Sequence, residues 1–216
     1  RQGIWSRNLK PEDIGRAYDQ ITQCWDDDRF DRSNGVAPHR RALAFVSGRG
    51  RALDVGCGCT GRFIDLLRQA GFQLTGIDVS REMIRLARAR HPDVDFYRAD
   101  ICLWPIPERY DFISAWDSIW HLPPGQQCTV IRKLLDALNP GGVLVFSFGG
   151  TDTEDNHLND AMGPTLGYAS LGVNGYLSLF LELGVFCRHL EYDQHPELHS
   201  YCIVQRGPRP AADQAR

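Results

Sequence analysis

Of the 24 basic residues in this 216-residue chain, only Lys10 and Lys133 are lysines. That leaves little material for a Schiff-base or phosphate-loop lysine, and neither one stands in a glycine-rich stretch. Long apolar runs are missing too, and no secretory signal is visible, so neither a membrane span nor an export route is expected. Charge of one sign is not in excess. With a formal net charge of −3, no global field draws in nucleic acid or an anionic membrane. The seven cysteines are odd in number and scattered, which points to reduced thiols and a cytoplasmic protein rather than a disulfide framework. Cys57-x-Cys59 lacks the spacing of a redox or zinc motif. His195 and His199 are separated by Pro196, so no metal site is expected.

What is present is one stretch with strong local logic. The short apolar run Ala52–Val55 leads into Gly56, Gly58 and Gly61, and Phe63, Ile64, Leu67 and Ala70 then recur at helical spacing up to Gly71. The segment reads strand, tight turn, helix. Such a turn offers backbone N–H groups at a helix N-terminus, and its glycines let a ligand approach the main chain. An ordinary strand-to-helix turn needs one glycine; three favour a nucleotide-type ligand.

Two ligand classes fit this spacing. Gly56-x-Gly58-x-x-Gly61, with Asp78 downstream, satisfies a dinucleotide pattern. Against it, Asp54 sits two residues before the first glycine, where a carboxylate repels a pyrophosphate and suits an ammonium or other cation. About fifty residues of mostly helical sequence come first, and little chain remains for a dehydrogenase's substrate domain.

The rest of the chain reads as alternating helices and strands. Pro11, Glu12 and Asp13 open a helix whose apolar face is Ile14, Ala17, Tyr18, Ile21 and Trp25. A second helix is expected over 38–46. Strands are expected at 73–79, 94–101, 110–116 and 143–148, with Ser80 capping the helix after the first of these. Asp78 and Asp100 then fall at C-terminal strand ends, the edge at which open parallel sheets bind ligands. Residues 149–172 read as a long acidic loop, suited to a lid, to a cationic acceptor or simply to solvation. Residues 187–193 and 199–204 read as a closing antiparallel hairpin. The expected division is a helical lid over 1–50, a core over 51–206 and a disordered tail over 207–216.

Asp54-x-Gly56-x-Gly58, followed in order by Asp78 and Asp100, resembles the class I S-adenosylmethionine-dependent methyltransferases, over roughly residues 14 to 206. The family often reads G-x-G-(small)-G; here Cys59-Thr60 leaves Thr60 and Gly61 both open as the third position. The resemblance implies an α/β, Rossmann-like, doubly wound and mostly parallel seven-stranded sheet, with a C-terminal antiparallel hairpin and an N-terminal helical lid. It implies S-adenosylmethionine as cofactor and S-adenosylhomocysteine as product. Asp54 and the turn Gly56, Gly58, Gly61 would seat the methionine half. Asp78 would hold the ribose and Asp100 the adenine amino group, with Val79, Met83 and Ile101 packing on the adenosine side. Tyr18, Trp25 and Trp116 would border the pocket, and Arg29 would meet the cofactor carboxylate.

The segment Asp117–Pro123 resembles the one beneath the transferable methyl in this family, which makes His121 a candidate general base and Asp117 the other. Trp120, His121 and the 150–172 loop would contact a small-molecule acceptor with an oxygen or nitrogen nucleophile. A monomer or homodimer is expected, away from membranes and nucleic acid. The rivals are an RNA or protein methyltransferase, a non-catalytic S-adenosylmethionine-binding protein and a nicotinamide-dependent oxidoreductase.

Overall fold

A computed structural model describes residues 9–207. The expected tail lies, from residue 208 on, outside the described residues, as do residues 1–8 of the lid segment. Seven strands form one sheet: β1 (Arg51–Val55), β2 (Gln73–Asp78), β3 (Asp95–Arg98), β4 (Tyr110–Ala115), β5 (Leu138–Gly149), and β8 (Phe186–Glu191) with β9 (His199–Gln205). Their spatial order is β3-β2-β1-β4-β5-β9-β8. Every pair from β3 to β5 is parallel, and the pairs β5–β9 and β9–β8 are antiparallel. The order reverses between β1 and β4, which opens a crevice at their C-terminal ends.

Alternation along the central strands sends side chains to two cores. On one face Ile113, Leu144 and Phe146 pack with Ile131 and Leu134 of α6 (Pro124–Asp136) and Tyr176 and Phe180 of α7 (Gly172–Glu182). On the other, Phe112, Val143 and Val145 pack with Ala42 of α3 (Val36–Leu43) and with Phe63 and Leu67 of α4 (Arg62–Gln69). Next to α4, Ile84 and Ala87 of α5 (Arg81–Arg90) close the β2–β3 side. Ser80 caps α5 as expected, its hydroxyl accepting from Met83 N at 3.1 Å.

The N-terminal helix α1 (Pro11–Ile21) is followed by the single turn α2 (Gln23–Asp26). Asp19 pins α1 to the core: its Oδ1 accepts from Ser80 Oγ at 2.6 Å and from Glu82 N at 3.0 Å. Arg90 adds an ion pair to Asp26 at 3.0 Å.

Three local expectations are corrected. β3 stops at Arg98, so Asp100 lies in the turn beyond it, where its Oδ1 accepts from Cys102 N at 2.8 Å. β5 begins at Leu138 rather than at 143, taking in Asn139–Gly142, where the β4–β5 register shifts. Most tellingly, residues 149–172 are not a bare loop. They carry an antiparallel hairpin, β6 (Asp155–Asn159) paired with β7 (Leu166–Ser170), and Asp152, Glu154, Asp155 and Asp160 all face solvent. Its alternating but polar β6 gave a weak strand signal. Among the described residues, no helix is long and apolar enough to cross a membrane.

Asp19→Ala removes two acceptor bonds, one of them at a helix N-terminus. It is expected to cost about 1–3 kcal/mol in urea unfolding and to speed proteolytic cleavage within α1.

Candidate active site

The C-terminal ends of β1, β2 and β4 open onto a cavity of ≈ 280 Å³, roofed by α1, α2 and the β6–β7 hairpin. Its floor is the turn after β1. Gly56 and Gly61 both have φ of +72°. A Cβ on Gly56 would run into Ser118, and one on Gly61 into the His91 ring. Gly61 is also the N-cap of α4, so it takes the third glycine position by backbone conformation, while Thr60 lines the cavity. Ile77 O accepts from the N–H of Gly56 at 2.8 Å and of Cys57 at 3.0 Å, locking the turn to β2.

Two carboxylates lie at this floor. Asp78 Oδ2 accepts from Gly58 N at 2.9 Å and Oδ1 from Ser80 N at 2.8 Å. Burial pushes Asp78 up to about 6, opposed by those two N–H groups. Asp54 is 1% exposed and its Oδ2 has no hydrogen-bond partner. Burial pushes it up to about 7, against the pull of the Arg62 guanidinium. Arg62 is itself largely buried over the Phe63 ring, 4.2 Å from its centroid. Its Nε donates to Asn34 O at 2.9 Å and its Nη1 to Thr60 Oγ1 at 2.8 Å.

The far wall follows β4. Trp116 packs against Phe63, His199 and Tyr201. Asp117 has a φ of +50°, and its Oδ1 accepts from Ser147 Oγ and from His199 Nε2, each at 2.9 Å. The imidazole of His199 also meets Asp193 Oδ1 at 2.6 Å through Nδ1. Burial alone would lower His199, but the bonds to Asp117 and Asp193 outweigh it and raise its pKa.

His121, on a short 3-10 turn (Ile119–His121), has both ring nitrogens engaged. Nδ1 lies 2.7 Å from Gly167 O and so donates to it, while Nε2 accepts from Tyr18 OH at 2.8 Å and Trp120 Nε1 at 3.1 Å. Burial lowers His121 to about 4 and raises Tyr18, so the pair stays neutral at pH 7.

A methyltransferase-domain family model matches residues 52–142. A trans-aconitate 2-methyltransferase of Paracidovorax citrulli is 33% identical over 189 residues, covering 78% of this chain and 71% of that protein. Another, of Rhizobium meliloti, is 36% identical over 125 residues; there the match spans 56% of this chain and about half, 48%, of that protein. Among solved structures, the PH0226 protein of Pyrococcus horikoshii superposes with a TM-score of 0.71 at 21% identity, covering 88% of this chain and 98% of that one. The chain belongs to the class I S-adenosylmethionine-dependent methyltransferases.

For this methyltransferase, the structure brings most of the expected site residues to one cavity. Tyr18, Trp25, Gly56 and Gly58 line it, as do Asp78, Val79 and Met83 on the β2 side. Asp100, Ile101, Trp116, Asp117, Trp120 and His121 complete the wall, and the hairpin adds Met162 and Tyr168. Three expected residues are not on it. Asp54 lies beneath the turn and Gly61 behind it. Arg29 is corrected outright: its side chain is 90% exposed and it pairs with Asp27 at 2.8 Å. The arginine that reaches the cavity is Arg62, passed over because it stands one residue after the last glycine and reads as an ordinary helix-start residue.

The Asp54 carboxyl is raised in the folded state, so its contribution to stability is full below pH 4 and is lost as pH rises through about 7. His39 and His121, both lowered by burial, act in the opposite sense below pH 6.5, equally in wild type and variant. The stability difference between wild type and Asp54→Asn is therefore expected to move by about 2–3 kcal/mol in favour of the variant from pH 5 to pH 8, read from urea midpoints without ligand.

Proposed function

We propose that this chain transfers a methyl group from S-adenosylmethionine to a small-molecule acceptor, attacking through an oxygen or nitrogen nucleophile by in-line displacement. The observation that carries the reading is the chemistry at the floor of the cavity: the main chain of Gly56 and Gly58 and the carboxylate of Asp78 on its lining, with the orphaned buried carboxylate oxygen of Asp54 beneath the turn. An adenosyl amino acid matches this set in kind. Its ammonium would complement the acidic floor at Asp54. Its carboxylate would meet Arg62, whose Nη2 has no partner among the described residues and whose planar fork suits that group. Asp78 retains two unused lone-pair directions for a ribose diol. Asp100 would accept from the adenine amino group, with Ile101, Val79 and Met83 on the ring faces.

The cofactor supplies a methyl already activated by its sulfonium, so the protein's tasks are alignment and exclusion of water. Tyr18, Trp25 and the hairpin roof the reacting end. In this reading His121 positions rather than abstracts: it ties α1, the 3-10 turn and β7 together through Tyr18, Trp120 and Gly167. The role of hydrogen-bond acceptor toward the nucleophile then falls to Asp117. Transfer to RNA is disfavoured by the net charge of −3 and by acids, rather than a basic stripe, on the hairpin beside the cavity.

Calorimetric titration with S-adenosylhomocysteine, S-adenosylmethionine and NAD tests this. The two adenosyl sulfur compounds are expected to bind and NAD not to. Asp78→Ala is expected to abolish measurable binding, Arg62→Ala to weaken it about 10- to 100-fold, and Arg29→Ala to leave it unchanged within about twofold. Binding of NAD alone, or equal loss in Arg29→Ala, would count against the proposal.

A further inference from the structure

Asp117 occupies an unusual position for an acid. It follows β4 in the left-handed region, a conformation most side chains avoid and Asn and Asp tolerate best. What holds it there is explicit. Its own N–H donates to Ser147 Oγ at 2.7 Å, and Ser147 Oγ and His199 Nε2 both engage Oδ1. Among the described residues Oδ2 has no partner, although Asp117 lines the cavity. The carboxylate is thus tethered by one oxygen and presents the other.

The cavity wall that Asp117 shares is aromatic, beginning with its own partner His199. Trp120 stands 5.8 Å from Tyr168 and 5.6 Å from His199, and His121 stands 4.8 Å from Tyr168 and 5.4 Å from Tyr18, all between ring centroids. His199 balances only part of the local charge, being shared between Asp117 and Asp193. The remaining acids on the cavity wall are Asp78 and Asp100. Arg62 is the one cation on that wall among the described residues; it feels the charges of Asp117 and Asp54, and in the reading proposed above its remaining Nη2 is taken by the cofactor carboxylate. A polycarboxylate would meet an acid and aromatic rings here, with no cation left to neutralise it. A cationic or N–H-bearing group on a flat apolar body would meet a carboxylate oxygen and ring faces, both attractive to it.

Resting on the proposed methyl transfer, we infer that the acceptor is an amine on an aromatic or apolar body, held by Asp117 Oδ2 and the Trp120–Tyr168 wall, and not a polycarboxylic acid of the kind for which its curated relatives are named. In the transfer the bound ammonium first gives a proton through Asp117 to solvent; the freed nitrogen lone pair then forms the bond to the methyl carbon while the carbon–sulfur bond breaks onto sulfur. The methylated nitrogen leaves as an ammonium or loses its surplus proton by the same route.

The test is calorimetric titration of the full chain saturated with S-adenosylhomocysteine, using tryptamine as the amine probe and trans-aconitate as the tricarboxylate. Tryptamine is expected to bind, trans-aconitate to bind at least tenfold more weakly, and Asp117→Asn to weaken tryptamine at least tenfold. Asparagine suits the left-handed backbone, and a thermal melt reports whether the variant folds. The comparison of the two probes on wild type stands even if it does not. Tighter binding of trans-aconitate, no binding of tryptamine, or tryptamine binding unaffected by a folded Asp117→Asn overturns the inference. Failure of S-adenosylhomocysteine itself to bind falls instead on the cofactor reading.

Discussion

Everything around the cavity depends on how carboxylates are kept at the ends of parallel strands with fewer partners than they need. An ionised carboxylate removed from water is costly unless hydrogen-bonded or paired. Asp78 meets the requirement with two backbone N–H groups. Asp54 does not: one of its oxygens is buried without a partner. The fold accepts that cost by drawing Arg62 into a buried place beside Asp54 and stacking it over Phe63. In the reading proposed above, an acidic floor with such a deficit suits a ligand that brings its own ammonium better than it suits a pyrophosphate.

The roof is attached differently from the floor. The sheet and its helices are held by large apolar cores; α1 has a small apolar cluster of its own, Ile14, Ala17 and Ile21 with Leu166 of β7, and adds to it polar links through Asp19 at the start of α5 and Tyr18 at His121. Polar bonds of this kind are specific in direction, and each contributes only about 1 kcal/mol net. His121 is the point at which three separate segments converge. That explains why a histidine in the segment after β4 is so completely enclosed: its imidazole has a donor and an acceptor on opposite edges, and each edge is used once the ring is neutral.

How far the sequence led depended on the range of the interaction. The β1 strand, the glycine turn, α4, the Ser80 cap and Asp78 follow from patterns a few residues long, and the structure has them all. Asp100 was found although its strand ended early, because an aspartate beyond a strand reaches the same edge whether or not the last residues pair. The sequence reading names Arg29 and not Arg62, since nothing local marks an arginine at a helix start, and only the fold decides which of the two is enclosed. The hairpin over the cavity escaped notice because its pairing is with itself and its outer strand is polar. The Asp193–His199–Asp117 chain joins residues as much as 82 positions apart, and no local pattern carries such a link.

That chain bears on how a fold shared with relatives named for trans-aconitate would serve the amine acceptor proposed above. The floor is fixed by the cofactor, which leaves the wall after β4 and the hairpin free to vary. Here the wall places an acid in a left-handed backbone position and braces it from β5 and β9, through Ser147 and His199. A side chain serving only as a turn residue would need neither brace, and a glycine or asparagine would meet the backbone demand without the charge. The histidine and the serine both engage Oδ1, and between them they fix which oxygen is spent. What the two braces leave over is a single directed acceptor on an aromatic wall, more than a turn requires and matched to a donor that arrives with the substrate.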